Sequence, residues 1–224
     1  VDGVRFLGST LWTDFMVCGD GEIRSAAMAD ARRFVRDFSR IRAEDGAEFF
    51  DVVAGRKPQP RDAGAGLVYS RFNHPNLEIV EDRLALLDGA EAAAVTSSGM
   101  AAIAMLFQTL LRPGDQIVYS TPLYGGTETL IRKILPEWGI GGEPFADGLA
   151  PAQIEAALEA AAARGKVSLV YIETPANPTN ALVDFELVAR SLAAFEARHG
   201  YRPVSACDNT MLGPIFQHPI GAGI

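Results

Sequence analysis

Cysteine is scarce in this chain: Cys18 and Cys207 are the two among 224 residues. They lie far apart, in neither a metal-ligand spacing nor a disulfide framework, and a reducing cytoplasm is the compartment that fits them. Long apolar runs are missing as well. No stretch approaches the roughly 20 residues of a membrane span, and the N-terminus lacks the charged and apolar regions of a signal peptide, so a soluble protein that is not exported is expected. Positive charge is also short, with 20 Lys and Arg against 28 Asp and Glu and a formal net charge of -8. Such a chain has no general basic face to displace counterions from nucleic acid, which argues against a phosphate-backbone binder. The arginines that cluster between Arg24 and Arg42 are interleaved with acids and read as a solvated helix face. Lysine occurs three times, at Lys57, Lys133 and Lys166.

What is present is ordinary globular composition, 48% hydrophobic and 21% charged, far from disordered or collagenous chains. Ala27, Ala31, Phe34, Phe38 and Ile41 recur at steps of three and four, the pattern of a helix over 25–41 with one apolar face. Residues 54–66 are rich in Gly and Pro without apolar period and read as an exposed loop. Beyond it, helix and strand patterns alternate. Helices are expected over 77–87, over 100–111 before Pro113-Gly114, over 127–135, over 151–163 with Pro at the first turn, and over 185–198. Strands are expected over 92–96, 116–120, 167–172 and 204–207. The organisation that follows is an N-terminal arm and helix over 1–53, the loop 54–66, and one α/β domain over 67–224. Its sheet should be mostly parallel and covered by helices on both faces, with ligands collecting at the carboxyl ends of the strands.

Four segments stand where that architecture puts a site. Thr96-Ser97-Ser98-Gly99-Met100-Ala101 opens a helix with a small turn, which offers free backbone N–H groups to a phosphate or is simply a serine cap. Tyr124, in Tyr119-Ser120-Thr121-Pro122-Leu123-Tyr124-Gly125-Gly126-Thr127, follows a strand beside flexible backbone; it serves chemistry or plain packing. Asn177, between Pro175 and Pro178, has a restricted backbone that could fix its amide for recognition, or is turn chemistry. Asp208 follows a buried strand in Ala206-Cys207-Asp208-Asn209-Thr210. A carboxylate there needs a cationic ligand, a positive side chain or a capping role.

Taken in order, Tyr69-Ser70-Arg71, Asn73-His74-Pro75-Asn76 with Glu78, Ser98-Gly99-Met100-Ala101-Ala102-Ile103, Arg112-Pro113-Gly114-Asp115, Tyr124-Gly125-Gly126-Thr127, Glu173-Thr174-Pro175-Ala176-Asn177-Pro178 and Asp208-Asn209-Thr210 resemble the Cys/Met-metabolism (transsulfuration) family of pyridoxal-phosphate (PLP) enzymes. The resemblance runs over about 44–220. It implies the large domain of the aspartate-aminotransferase-type PLP-dependent fold, with the C-terminal domain missing. It also implies that Gly99 and Met100 bind the PLP phosphate, that Tyr124 stacks on the pyridine ring and assists proton transfer, and that Asp208 pairs with the pyridine nitrogen. Asn177 would contact the ring hydroxyl or the substrate carboxylate, and Thr210 would join the cofactor site. Tyr69 and Arg71 would reach a neighbouring subunit's phosphate site, making a homo-oligomer, dimer or tetramer, with shared active sites.

The activity implied is β- or γ-elimination or γ-replacement on methionine, cystathionine or an O-acylhomoserine. The family's Schiff-base lysine would follow Asp208-Asn209-Thr210 in a Ser-x-Thr-Lys context that this sequence does not contain, and Lys57, Lys133 and Lys166 read as surface charges. The alternative expectation is therefore a non-catalytic fragment that binds PLP or associates with intact subunits.

Overall fold

The structure, a computed structural model, describes residues 6–8 and 75–224. The helix expected over 25–41, the loop 54–66, Cys18, Lys57, Tyr69 and Arg71 lie outside the described residues. The chain divides into two compact units, one formed by Val1–Thr10 and Leu84–Ile224, the other by Leu11–Arg83. The first unit carries the sheet.

In chain order the described elements are β1 (Phe6–Gly8), α1 (Pro75–Asp88), α2 (Gly99–Leu110), β2 (Gln116–Ser120), α3 (Gly125–Thr129), β3 (Gly141–Phe145), α4 (Pro151–Ala162), β4 (Val167–Glu173), α5 (Phe185–His199), β5 (Val204–Asp208) and α6 (Gly213–Phe216). The strands form one sheet in the order β1-β5-β4-β2-β3, and every pairing in it is parallel. In register, Tyr119 of β2 faces Tyr171 of β4, and Glu173 of β4 faces Asp208 of β5.

Alternation along each strand sorts the core into two layers. Ile117, Tyr119, Leu169, Tyr171 and Ala206 point to one face and pack with Ile103, Leu106 and Phe107 of α2 and with Leu130, Ile131 and Leu135. Their neighbours Val118, Val170, Ile172 and Cys207 point to the other, against Ile154, Leu158 and Ala161 of α4 and Val188, Leu192 and Phe195 of α5. The Phe107 ring meets the Tyr171 ring edge-on, with centroids 5.2 Å apart. A sheet covered on both faces is what the continuous apolar run of β4 demands, and the α/β fold expected from the sequence is the one found.

Local signals explain most of the boundaries. Ser98 caps α2 by accepting the Ala101 N–H at 3.1 Å, and Asp184 caps α5 by accepting the Leu187 N–H at 3.1 Å. Gly200 ends α5 at φ 76°, and Pro151 starts α4.

Three expectations need correction. No strand forms over 92–96, where the backbone is irregular; its Ala-Ala-Ala run has weak strand preference. The single helix expected over 127–135 is α3, then a π-helical turn at Leu130–Ile134 and a 3₁₀ turn at Leu135–Trp138. Pro136 cannot extend the ladder, and Gly139 closes the segment at φ 75°. The edge strand β3 was hidden by its sequence, Gly-Gly-Glu-Pro-Phe, which reads as a turn. As an edge it tolerates the missing N–H of Pro144, and Gly141 leaves room for the Gln116 amide that packs against it.

Among the described residues no helix is long and apolar enough to cross a membrane, and no group of three or more His, Cys, Asp or Glu could hold a metal ion.

Candidate functional site

The carboxyl ends of β2, β4 and β5 deliver Ser120, Glu173 and Asp208 to one rim, and the chain leaves each strand in a different turn. The turn after β2 brings Tyr124 to the start of α3 with its side chain 45% exposed. Across from it lies the start of α2. Ser98 caps Ala101 there and its carbonyl takes the Ala102 N–H, so the N–H groups of Gly99 and Met100 lie ahead of the helix ladder and face outward from a positive helix end. Gly126 ties these two turns together. A Cβ on it would stand 2.8 Å from the Tyr124 ring and 2.9 Å from the Met100 sulfur, so any larger residue would have to displace one of these side chains.

A chain of polar side chains runs beneath them. The buried Thr127 hydroxyl lies 3.8 Å from Met100 Sδ, beside the Tyr171 side chain, whose ionised form it would favour. The Tyr171 hydroxyl in turn donates to Asp208 Oδ2 at 3.4 Å. Burial pushes the Tyr171 hydroxyl well above its ordinary value, and the adjacent Asp208 charge pushes it further, so it remains a donor at neutral pH. The neighbouring Cys207 thiol is raised for the same two reasons and stays an inert core group.

Asp208 is half-buried. Its Oδ1 accepts the Thr210 N–H at 3.0 Å and the Thr210 hydroxyl at 2.6 Å. These partners are neutral, and among the described residues no ion pair includes Asp208. A carboxylate with neutral donors on its inner side and spare acceptor capacity suits a cationic ring nitrogen. Next to it, Asn209 is fully buried and both polar atoms of its amide lack a hydrogen-bond partner.

Asn177 sits in an exposed turn after β4, which Ala176 and Ala181 close through a 2.9 Å backbone hydrogen bond. Its backbone N–H donates to Glu173 Oε1 at 2.8 Å. Glu173 Oε2 accepts the Tyr124 N–H at 2.7 Å. Burial raises the Glu173 carboxyl, the two backbone hydrogen bonds pull it down, and the Asp208 charge raises it again, with a net shift upward. On its other side a cavity of about 220 Å³ is lined by Ser120, Asp147, Glu173, Ala176 and Val183.

The fold thus brings Gly99, Met100, Tyr124, Asp208 and Thr210 around one rim and ties Asn177 to it through Glu173. Sequence reasoning passed over Thr127, Tyr171 and Glu173. The signal was present for the last, an acid closing a strand whose every residue is buried. Lys133 and Lys166 are both exposed; Lys166 precedes the amino end of β4, away from this rim.

Residues 49–224 match the model of a family described as Cys/Met metabolism PLP-dependent enzyme. The L-methionine gamma-lyase of Pseudomonas deceptionensis is 38% identical over 159 residues, 71% of this chain and 37% of that protein. The O-succinylhomoserine sulfhydrylase of Mycobacterium tuberculosis is 35% identical over 157 residues, 70% of this chain and 36% of the relative. The chain therefore spans little more than a third of the length of these relatives. Among solved structures, metB from Corynebacterium glutamicum superposes with a TM-score of 0.63 at 31% identity, covering 75% of this chain and 40% of that one. The metY structure from Campylobacter jejuni, which carries N'-pyridoxyl-lysine-5'-monophosphate, gives a TM-score of 0.62 at 29% identity over 71% of this chain and 36% of its own.

Proposed function

The chain belongs to the Cys/Met metabolism PLP-dependent enzyme family, and from that premise we propose that it supplies the cofactor cradle of an enzyme performing β- or γ-elimination or γ-replacement on a sulfur amino acid or an O-acylhomoserine. The observation that carries the proposal is the rim itself, where an outward helix start, an exposed aromatic ring and a carboxylate with spare acceptor capacity converge.

These residues fit pyridoxal phosphate. The N–H groups of Gly99 and Met100 would hold the phosphate, Tyr124 would cover the ring face, and Asp208, oriented by Thr210 and Tyr171, would pair with the ring nitrogen. Asn177 would meet the ring hydroxyl or the substrate carboxylate. When bound, the cofactor supplies an electron sink for bonds broken at the amino-acid carbons. The chain's own contribution is to bind and orient that group, to hold the Asp208 carboxylate in place through Thr210 and Tyr171, and to hold or move a proton at the Tyr124 hydroxyl. Tyr69 and Arg71 would complete a phosphate site in a second subunit of a homo-oligomer, and a cytoplasmic location fits the cysteine usage.

A second reading has its own support. Neither described lysine stands at the rim, so this stretch would bind the cofactor without itself providing a covalent anchor, as a PLP-binding or subunit-association segment. Titrating the chain with pyridoxal phosphate, treating it with borohydride, and then measuring keto-acid release from methionine, cystathionine and O-acylhomoserine separates the two. Keto acid with a borohydride-fixed cofactor supports the enzyme; retained but unfixed cofactor without keto acid supports the binding segment; no retention sinks both.

A further inference from the structure

Glu173 closes β4 only 4% exposed, and its two oxygens go to two different turns. Oε2 takes the Tyr124 N–H at 2.7 Å, from a residue 49 positions earlier. Oε1 takes the Asn177 N–H at 2.8 Å. Its own N–H donates to Ser120 Oγ at 3.0 Å, which fixes it against the end of β2. Among the described residues no ion pair includes Glu173, and burial with the neighbouring Asp208 raises its carboxyl.

A buried carboxylate without a cation is an expensive way to cap a turn, and a serine or asparagine would satisfy one N–H more cheaply. What neither can do is accept from two backbone donors on opposite sides at once, which needs two acceptor oxygens held rigidly apart. Both donors are main-chain N–H groups, so the carboxylate fixes where two turns lie, and those turns carry Tyr124 and Asn177.

We propose that Glu173 is a positioning residue of the cofactor site, a carboxylate clamp that sets the separation of the Tyr124 and Asn177 turns. The role rests on the reading of this rim as a pyridoxal-phosphate cradle. It acts through backbone geometry and touches no reacting atom.

The test compares the full chain with Glu173→Gln, which keeps size but offers one acceptor in place of two, and Glu173→Asp, which keeps charge but shortens the reach. Residue-resolved amide hydrogen exchange at Tyr124 and Asn177 reports the clamp, and titration with pyridoxal phosphate reports its consequence. In Glu173→Gln one of the two amides should exchange roughly tenfold faster while the other stays protected, and cofactor affinity should fall by about the same factor. Glu173→Asp should show the same pattern despite its charge. Unchanged exchange at both amides overturns the clamp. Faster exchange with unchanged cofactor affinity overturns the positioning role and leaves the cradle reading standing. If the unsubstituted chain fails to bind pyridoxal phosphate at all, the cradle reading falls and takes the positioning role with it, an outcome visible before any variant is made.

Discussion

Along β4, Val167, Leu169, Val170 and Ile172 are buried to 1% exposure or less and fill two apolar layers, yet the next residue is the acid Glu173, itself 4% exposed. The same change occurs in β5, where Ala206 and Cys207 at 2% give way to Asp208. The sheet interior and its carboxyl rim are thus adjacent in sequence and opposite in construction. In the interior, stability comes from area removed from water and from close packing. At the rim, buried polar groups are held by hydrogen bonds that fix backbone and side-chain positions, and one amide, that of Asn209, goes without. The two rim acids differ in turn. Glu173 is sealed and accepts from backbone, whereas Asp208 is half-open and accepts from neutral side chains and one backbone N–H. Stability and recognition are therefore separable by substitution.

The largest effect should come from the interior. Leu169→Ala removes a fully buried side chain between β2 and β5 and should lower unfolding free energy by about 2–5 kcal/mol in urea titrations. Cofactor affinity of the fraction that remains folded should hardly move, and a large loss of affinity there would break the division between interior and rim.

Asp208→Asn inverts that pattern. The Thr210 contacts survive on the amide oxygen, so stability should change little. Loss of a charged acceptor, worth about 1.5–3 kcal/mol, should weaken pyridoxal phosphate binding roughly 10- to 100-fold, read by fluorescence titration.

Ser98→Ala removes the cap of α2 and should reduce stability by about 1 kcal/mol in thermal unfolding, with a smaller loss of phosphate affinity. A variant as stable as the original would show that the α2 start is held by the rim instead.

The pH response sharpens the contrast between the two acids. Because the Glu173 carboxyl is raised above its ordinary 4.5, its contribution to stability is present below that value and is lost as pH rises through the folded-state value. Chemical unfolding of the original chain and Glu173→Gln, compared from acid to neutral pH, should therefore show the original losing ground to the variant as pH rises. A parallel pair of curves would contradict the burial argument.

The smallest effect is expected on the outer surface. Glu159 pairs with Arg198 and His199 at 2.9 and 3.0 Å, but the groups are solvent-screened, and Glu159→Gln should stay within about 0.5 kcal/mol of the original in the same assay.

Much of this was legible beforehand where the signal is local or periodic. The apolar runs of β2, β4 and β5, the Ser98 cap and Pro151 at the start of α4 placed most of the elements within a residue or two. Pro175 and Pro178 marked the turn after β4, and Asp208 declared itself as an acid at a buried strand end. β3 was not legible, because Gly141, Gly142 and Pro144 look like turn chemistry until an edge position makes them acceptable. The strand expected at 92–96 failed for the converse reason, a short run of small apolar residues that resembles a strand without the preference of one.

By itself the sequence determined the alternation of helix and strand and the ordered motifs of the family, since periodicity, caps and turn residues act between near neighbours. The tertiary structure alone decided that Gly126 packs between the Tyr124 ring and the Met100 sulfur and that the Tyr171 hydroxyl reaches Asp208. It alone also decided that Glu173 holds two turns at once. Those facts depend on parallel register between strands tens of residues apart, and on burial that removes water as the competing partner. No local pattern encodes either.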